Sequence, residues 1–102
     1  MSRHAIFVVN PSRVEAVAAT KEISQILLKE GFTLSSPSDI SILGISQHSA
    51  EELPQAEVVL VLGGDGTILR GSEIARRQDI PILGINLGHV GFMAEVEKPA
   101  LS

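Results

Sequence analysis

Gly63-Gly64-Asp65-Gly66-Thr67 is the stretch of this sequence best suited to chemistry. It follows directly on the apolar run Val-Val-Leu-Val-Leu (58–62) and precedes a segment of helical pattern. Glycines there permit positive φ and let a ligand approach the backbone closely. A helix start supplies unpaired N–H groups and a partial positive charge, and the combination is an anion site suited to phosphate. Asp65 is the odd residue, because a carboxylate repels phosphates. It makes sense if it holds Mg²⁺ or takes a proton from an attacking hydroxyl. Helix capping explains Asp65 equally well; a cap at Thr67 would instead leave Asp65 free for chemistry. Two other phosphate motifs are excluded. No lysine follows the glycines as G-x-x-x-x-G-K-[ST] requires, and the glycines at 63, 64, 66, 84, 88 and 91 do not form G-x-G-x-x-G.

The elements needed to position this loop follow an α/β pattern of short apolar runs alternating with helical stretches. Ala5-Ile6-Phe7-Val8-Val9 reads as a strand buried on both faces. Asn10-Pro11 is a turn, and Ser12 with Glu15 forms the S-x-x-E of a capping box opening a helix from about Arg13 to Glu30. Gly31 stands where a C-terminal cap glycine belongs. Phe32 to Leu34 reads as a short strand, Ser35 to Asp39 as a loop, Ile40 to Ile45 as another strand and His48 to Gln55 as an exposed turn. Val58 to Leu62 is the clearest strand; Ile68 to Arg77 is a helix with Arg76 and Arg77 in its last turn, where cations suit the dipole. Pro81 to Ile85 is a strand, Asn86 to Gly91 a glycine-rich loop and Phe92 to Val96 the start of a final strand. Lys98-Pro99 resembles an interdomain linker.

Gly63-Gly64-Asp65-Gly66-Thr67 resembles the signature shared by NAD kinases, diacylglycerol and sphingosine kinases and, with Ser for Thr, phosphofructokinases. Gly84-Ile85-Asn86-Leu87-Gly88-His89-Val90-Gly91-Phe92 is similar to the G-x-N-x-G-x-x-G-F stretch of NAD kinases, of bacterial type above all; the G-T-x-N element of lipid kinases is absent. The resemblance implies a Rossmann-like open parallel sheet flanked by helices. It also implies phosphorylation of the 2′-hydroxyl of the adenosine ribose of NAD, giving NADP, with ATP or polyphosphate as donor and a divalent metal, Mg²⁺. By resemblance Asp65 is the catalytic base, and Gly66 contacts NAD through its backbone. Arg70, one helical turn on, contacts the substrate. Phe92 packs on the adenine, Asn86 and Gly88 shape that pocket, and Gly63, Gly64 and Thr67 line the phosphate path. Plainer readings stand beside these: Arg70 as a solvent-facing helix residue, Phe92 as a core aromatic, Asn10-Pro11 as a simple turn. His4 and His48 show no metal-ligand spacing, His89 reads as a structural or loop-surface residue rather than a catalytic one, and no metal ligands are assigned.

The length of 102 residues suits one domain, 1–102, expected to be truncated from a two-domain enzyme. NAD kinases carry an Asn-Glu or Asn-Asp pair in a second, β-rich domain, and no such pair occurs here. The chain alone is therefore expected to have negligible activity and weak NAD affinity. A net charge of −4 and an aromatic fraction of 3% argue against a nucleic-acid binder. No apolar run reaches the ~20 residues of a membrane span, and Ala5 to Val9 is too short for a signal-peptide core, so a cytoplasmic protein is expected; cysteine is absent, which excludes disulfides and thiolate metal sites. The resemblance further implies a homodimer or homotetramer for the full-length enzyme. The alternatives are a lipid or sugar kinase of the same superfamily, or a non-catalytic regulatory or assembly module.

Overall fold

Successive strand residues point to opposite faces, so an unbroken apolar run such as Ala5 to Val9 demands cover on both sides. The computed structural model describes residues 3–89 and 91–94, from residue 86 on by backbone alone. It places this run in β1 (Arg3–Val9), with all five residues buried. The chain continues through α1 (Val14–Lys29), β2 (Phe32–Ser36), β3 (Ile45–Gln47), a 3-10 turn (Ala50–Glu52), β4 (Val58–Leu62), α2 (Asp65–Gln78), β5 (Ile82–His89) and β6 (Gly91–Ala94). Among the described residues the strands form one sheet in the order β3-β2-β1-β4-β5-β6. The first five run parallel, whereas β6 is antiparallel to β5.

The two helices cover opposite faces. Ala16 and Ala19 of α1 pack with Ala5, Phe7, Val9, Leu60 and Leu62. Ile74 and Ala75 of α2 pack with Ile6, Val8, Val59 and Val61. Gly71 sets the distance of α2 from the sheet: a Cβ there would run into the Val61 Cγ2 methyl and stand 3.2 Å from Ile82 Cδ1.

Several boundaries differ from the sequence reading. Ser12 lies two residues before the start of α1. The N-cap is Arg13, with no side-chain cap bond, and the Ser12 N–H donates to Asn10 Oδ1 at 3.0 Å, so the capping box does not form. Gly31 ends α1 as expected, at φ +92°, a region where other residues are strained. Ser35 and Ser36 belong to β2 and are buried rather than in a loop. No strand runs from Ile40 to Ile45. Gly44, at φ +93°, turns the chain, and β3 starts only at Ile45. α2 begins at Asp65, not Ile68. The stretch from Asn86 to Gly91, expected as a loop, is extended in β5 to His89 and turns back at Gly91 into β6. Residues 95–102, and with them the end of the expected final strand and Lys98-Pro99, lie outside the described residues.

Candidate active site at the carboxyl ends of the central strands

From β1 the chain crosses to β2 on one side, and from β4 to β5 on the other, with α1 and α2 on opposite faces. The strand order therefore reverses between β1 and β4. In an open α/β sheet the crevice outside the carboxyl ends of the two strands at this point is where ligands bind. The register levels the residues that line it. Val9 pairs with Leu62 and Leu62 with Ile85, so Asn10, Gly63 and Asn86 follow at one height on three adjacent strands. The Asn10 N–H donates to the Leu62 carbonyl at 3.0 Å and ties β1 to β4 there.

Gly63 and Gly64 connect β4 to α2, with Gly64 as N-cap. Neither they nor Gly66 adopts positive φ. What the loop requires at Gly63 is space, since a Cβ would lie 2.5 Å from Thr67 Oγ1 and 3.0 Å from Asn10 Cβ. At Gly66 a Cβ would meet nothing within 4 Å among the described residues beyond its own helix backbone, so their packing does not require glycine at that position. No side chain caps α2, which leaves its leading amides and partial positive charge facing the crevice.

Asp65 occupies the first helical position rather than the cap, and Thr67 is not the cap either, so the capping explanation fails for both. The Asp65 side chain is exposed and, among the described residues, makes no hydrogen bond or ion pair. Its place in the first turn suits the helix dipole, and nothing within the described protein ties it down. Arg70 is exposed on the second turn of α2, also without a partner among the described residues. Asn86 and Gly88 lie on β5 and Phe92 on β6, the strand that pairs Met93 with Asn86. The backbone thus brings all three to one hairpin beside the loop.

One neighbour of the loop escaped the sequence reading. Arg13 leads α1 from the β1 side, and its Nη1 lies 3.7 Å from where a Cβ on Gly64 would stand. Spacing carries no signal for it, because only the sheet order brings the starts of α1 and α2 together. Ser38 is another: buried, it accepts the Val9 N–H at 2.9 Å and satisfies the end of β1.

His4 lies away from the crevice. His4, at the opposite end of β1, is held between Thr33 Oγ1 and Ser35 Oγ, each at 2.7 Å. Burial, then the nearby His48, pushes its pKa down. Among the described residues no group of three or more His, Cys, Asp or Glu could hold a metal, and no helix is long and apolar enough to cross a membrane. A groove of about 450 Å³, lined among others by Arg76, Asp79 and Ile82, opens at the other end of α2, away from Asp65.

The fold is an open α/β sheet with an uncapped helix start at its switch point, the place where domains of this class bind their ligands. The ATP-NAD kinase N-terminal domain family matches residues 5–102, and the chain belongs to it. It is 37% identical to an NAD kinase of Mycolicibacterium paratuberculosis over 97% of this chain and 38% of that protein. It is 43% identical to NAD kinase 2 of Streptomyces coelicolor, over 76% of this chain and 25% of the relative. Over 54% of the chain and 19% of the relative, it is 58% identical to an NAD kinase of Corynebacterium glutamicum. The chain therefore spans well under half the length of these relatives.

Proposed function

We propose that this chain is the nucleotide-binding part of an NAD kinase. The protein would transfer a phosphoryl group from ATP or polyphosphate to the 2′-hydroxyl of the adenosine ribose of NAD, giving NADP. The observation that carries the proposal is Asp65, exposed and without a partner among the described residues, at the start of α2 and in the crevice between β1 and β4. A carboxylate placed there accepts the hydroxyl proton as the ribose oxygen attacks, help worth about 10² to 10⁴ in rate. The amides of the loop and of the first turn of α2 stabilise the phosphates, since phosphoryl transfer needs mainly positioning and charge neutralisation. Gly66 meets NAD through its backbone, and its open surroundings support that role. Arg70 adds a cation on the same helix. Asn86, Gly88 and Phe92 form the adenine-side pocket, and Gly63, Gly64 and Thr67 the phosphate path.

Mg²⁺ fits as a phosphate-borne ion. It takes one or two carboxylates together with phosphate oxygens and water, and Asp65 is the carboxylate at hand. When bound it neutralises phosphate charge. The reading extends to a cytoplasmic homodimer or homotetramer and to a chain that needs further sequence, of the length its relatives have, for full activity.

The test compares acceptors. A version as long as the relatives is supplied with ATP and, separately, NAD, diacylglycerol or fructose 6-phosphate, and the products are identified by mass spectrometry. NADP alone is expected, with negligible turnover from the 102-residue chain. Phosphorylation of the lipid or the sugar instead of NAD would overturn the reading, and no transfer to any acceptor would favour a non-catalytic module.

A further inference from the structure

We propose that His4 is an acid-sensitive latch: protonation of its ring undoes the Ser35 contact that braces the end of β2, and with it the β1 wall of the crevice, where Val9 gives way to Asn10. The latch acts on that wall whatever ligand lies against it.

The ring stands between two hydroxyls, with Nδ1 2.7 Å from Thr33 Oγ1 and Nε2 2.7 Å from Ser35 Oγ. Thr33 Oγ1 also donates to the Arg3 carbonyl at 3.3 Å. A neutral imidazole and two hydroxyls carry one hydrogen for each of these links. All are filled only when the ring hydrogen is on Nδ1. Nδ1–H then donates to Thr33, Thr33 donates to Arg3, and the Ser35 hydroxyl donates to Nε2. A proton taken from solvent onto Nε2 breaks the last of these bonds, because Nε2–H now points at Ser35 Oγ. The Ser35 hydrogen is left without an acceptor: Ser35 is fully buried, and its side chain makes no other bond among the described residues. A buried donor without a partner is costly, so Ser35 has to move. Exposed Thr33 has no such difficulty. Charges nearby do not offset the cost. His48, beyond the end of β3, repels a protonated His4. The Glu57 N–H donates to the His4 carbonyl, but the Glu57 carboxylate is held by Arg3. Glu51 and Glu52 of the 3-10 turn are exposed, and no carboxylate among the described residues bonds the ring. Burial first and His48 second hold the ring below its ordinary pKa.

The effect reaches the crevice through one corner of the chain. Ser35 is the last residue of β2 in register with β1, opposite Ile6. Ser36 follows; its Oγ accepts the Ser38 N–H at 3.0 Å and its carbonyl the His48 N–H at 3.1 Å. Ser38 Oγ accepts the Val9 N–H at 2.9 Å, and Gln47 Nε2 donates to the Ser38 carbonyl at 2.7 Å. Ser36 and Ser38 are both buried. The corner Ser36-Pro37-Ser38 thus fastens β1, β2 and β3 together. Displacing Ser35 displaces this corner. The corner holds the Val9 amide, one residue before Asn10, whose N–H ties β1 to β4 at the crevice.

The test follows the His4 ring and the backbone amides of the 102-residue chain by NMR from about pH 8 to about pH 5, the range in which histidine changes charge. Wild type, His4→Gln and Ser35→Ala are compared, with shift dispersion as the check on folding. In wild type the ring nitrogens are expected to show the neutral hydrogen on Nδ1. The amides of Val9, Asn10 and Ser38 should then move with the same midpoint as the ring. His4→Gln does not titrate, and that step should vanish. Ser35→Ala removes the stranded hydrogen. The His4 midpoint should rise towards that of a free imidazole, and the three amides should no longer follow it. A neutral hydrogen on Nε2, or an unchanged His4 midpoint in Ser35→Ala, would overturn the hydrogen-bond assignment. Amides that ignore the ring in wild type, or a step that persists in His4→Gln, would overturn the link to the crevice.

Discussion

Gly66→Ala separates what the fold needs from what a ligand needs. Gly66 is the second residue of α2, and among the described residues a Cβ there would have no neighbour within 4 Å beyond its own helix backbone. Within the chain the added methyl therefore costs nothing in packing. It relieves the entropic penalty of a helical glycine, a gain of about 0.5–1 kcal/mol, or a rise in Tm of about 2–6 °C for a domain of this size. If the backbone of Gly66 meets NAD, the same methyl enters occupied space. Forcing a methyl into a packed site costs about 1–3 kcal/mol, roughly 5- to 150-fold in affinity. Thermal unfolding by circular dichroism and NADP formation by a kinase-length version read the two effects separately. Gly63→Ala is the control, expected to lose stability because its Cβ would lie 2.5 Å from Thr67 Oγ1. A Gly66→Ala protein with raised Tm and wild-type turnover would show that no ligand approaches Gly66. A lowered Tm would contradict the open surroundings from which the argument starts.

Three further substitutions test the frame that holds the site. Gly71→Ala drives a methyl into Val61 and Ile82 under α2 and is expected to cost about 1–3 kcal/mol in urea unfolding. Ser38→Ala strips the buried Val9 N–H of its acceptor at the crevice end of β1, a loss of about 1–3 kcal/mol by the same measurement. For His4 the sign follows from its lowered pKa. The unfolded chain takes up the proton first, near pH 6.5, so stability is full above that value and falls as pH drops through it. His4→Gln should flatten that part of the stability–pH curve, and an unchanged slope between pH 7.5 and 5.5 would count against the assignment.

Much of this arrangement is legible in the residues themselves. Val58 to Leu62 followed by Gly63-Gly64 declares a strand ending in a tight glycine turn, and Gly31 declares the end of α1. What failed were decisions between competing local bonds. Ser12 and Glu15 spell a capping box, but the Asn10 side chain takes the Ser12 amide first and moves the helix start to Val14. Asp65 and Thr67 both look like caps, yet Gly64 is the N-cap, so α2 starts earlier and Asp65 has no partner among the described residues. The glycines from 84 to 91 hide a hairpin, because register with β4 and β6 rather than side-chain alternation makes it extended. The closeness of Arg13 to Gly64 could not be found in the sequence at all: it depends on β1 and β4 being neighbours, a property of the sheet.

The most direct measurement is turnover of Asp65→Asn in a kinase-length version. The side chain is exposed and makes no hydrogen bond among the described residues, so the substitution should leave Tm within error. NADP formation should fall by about 10² to 10⁴ with NAD affinity nearly retained, since the amide keeps the shape and loses only the base. Wild-type turnover from that variant would remove Asp65 from the chemistry and the central claim with it.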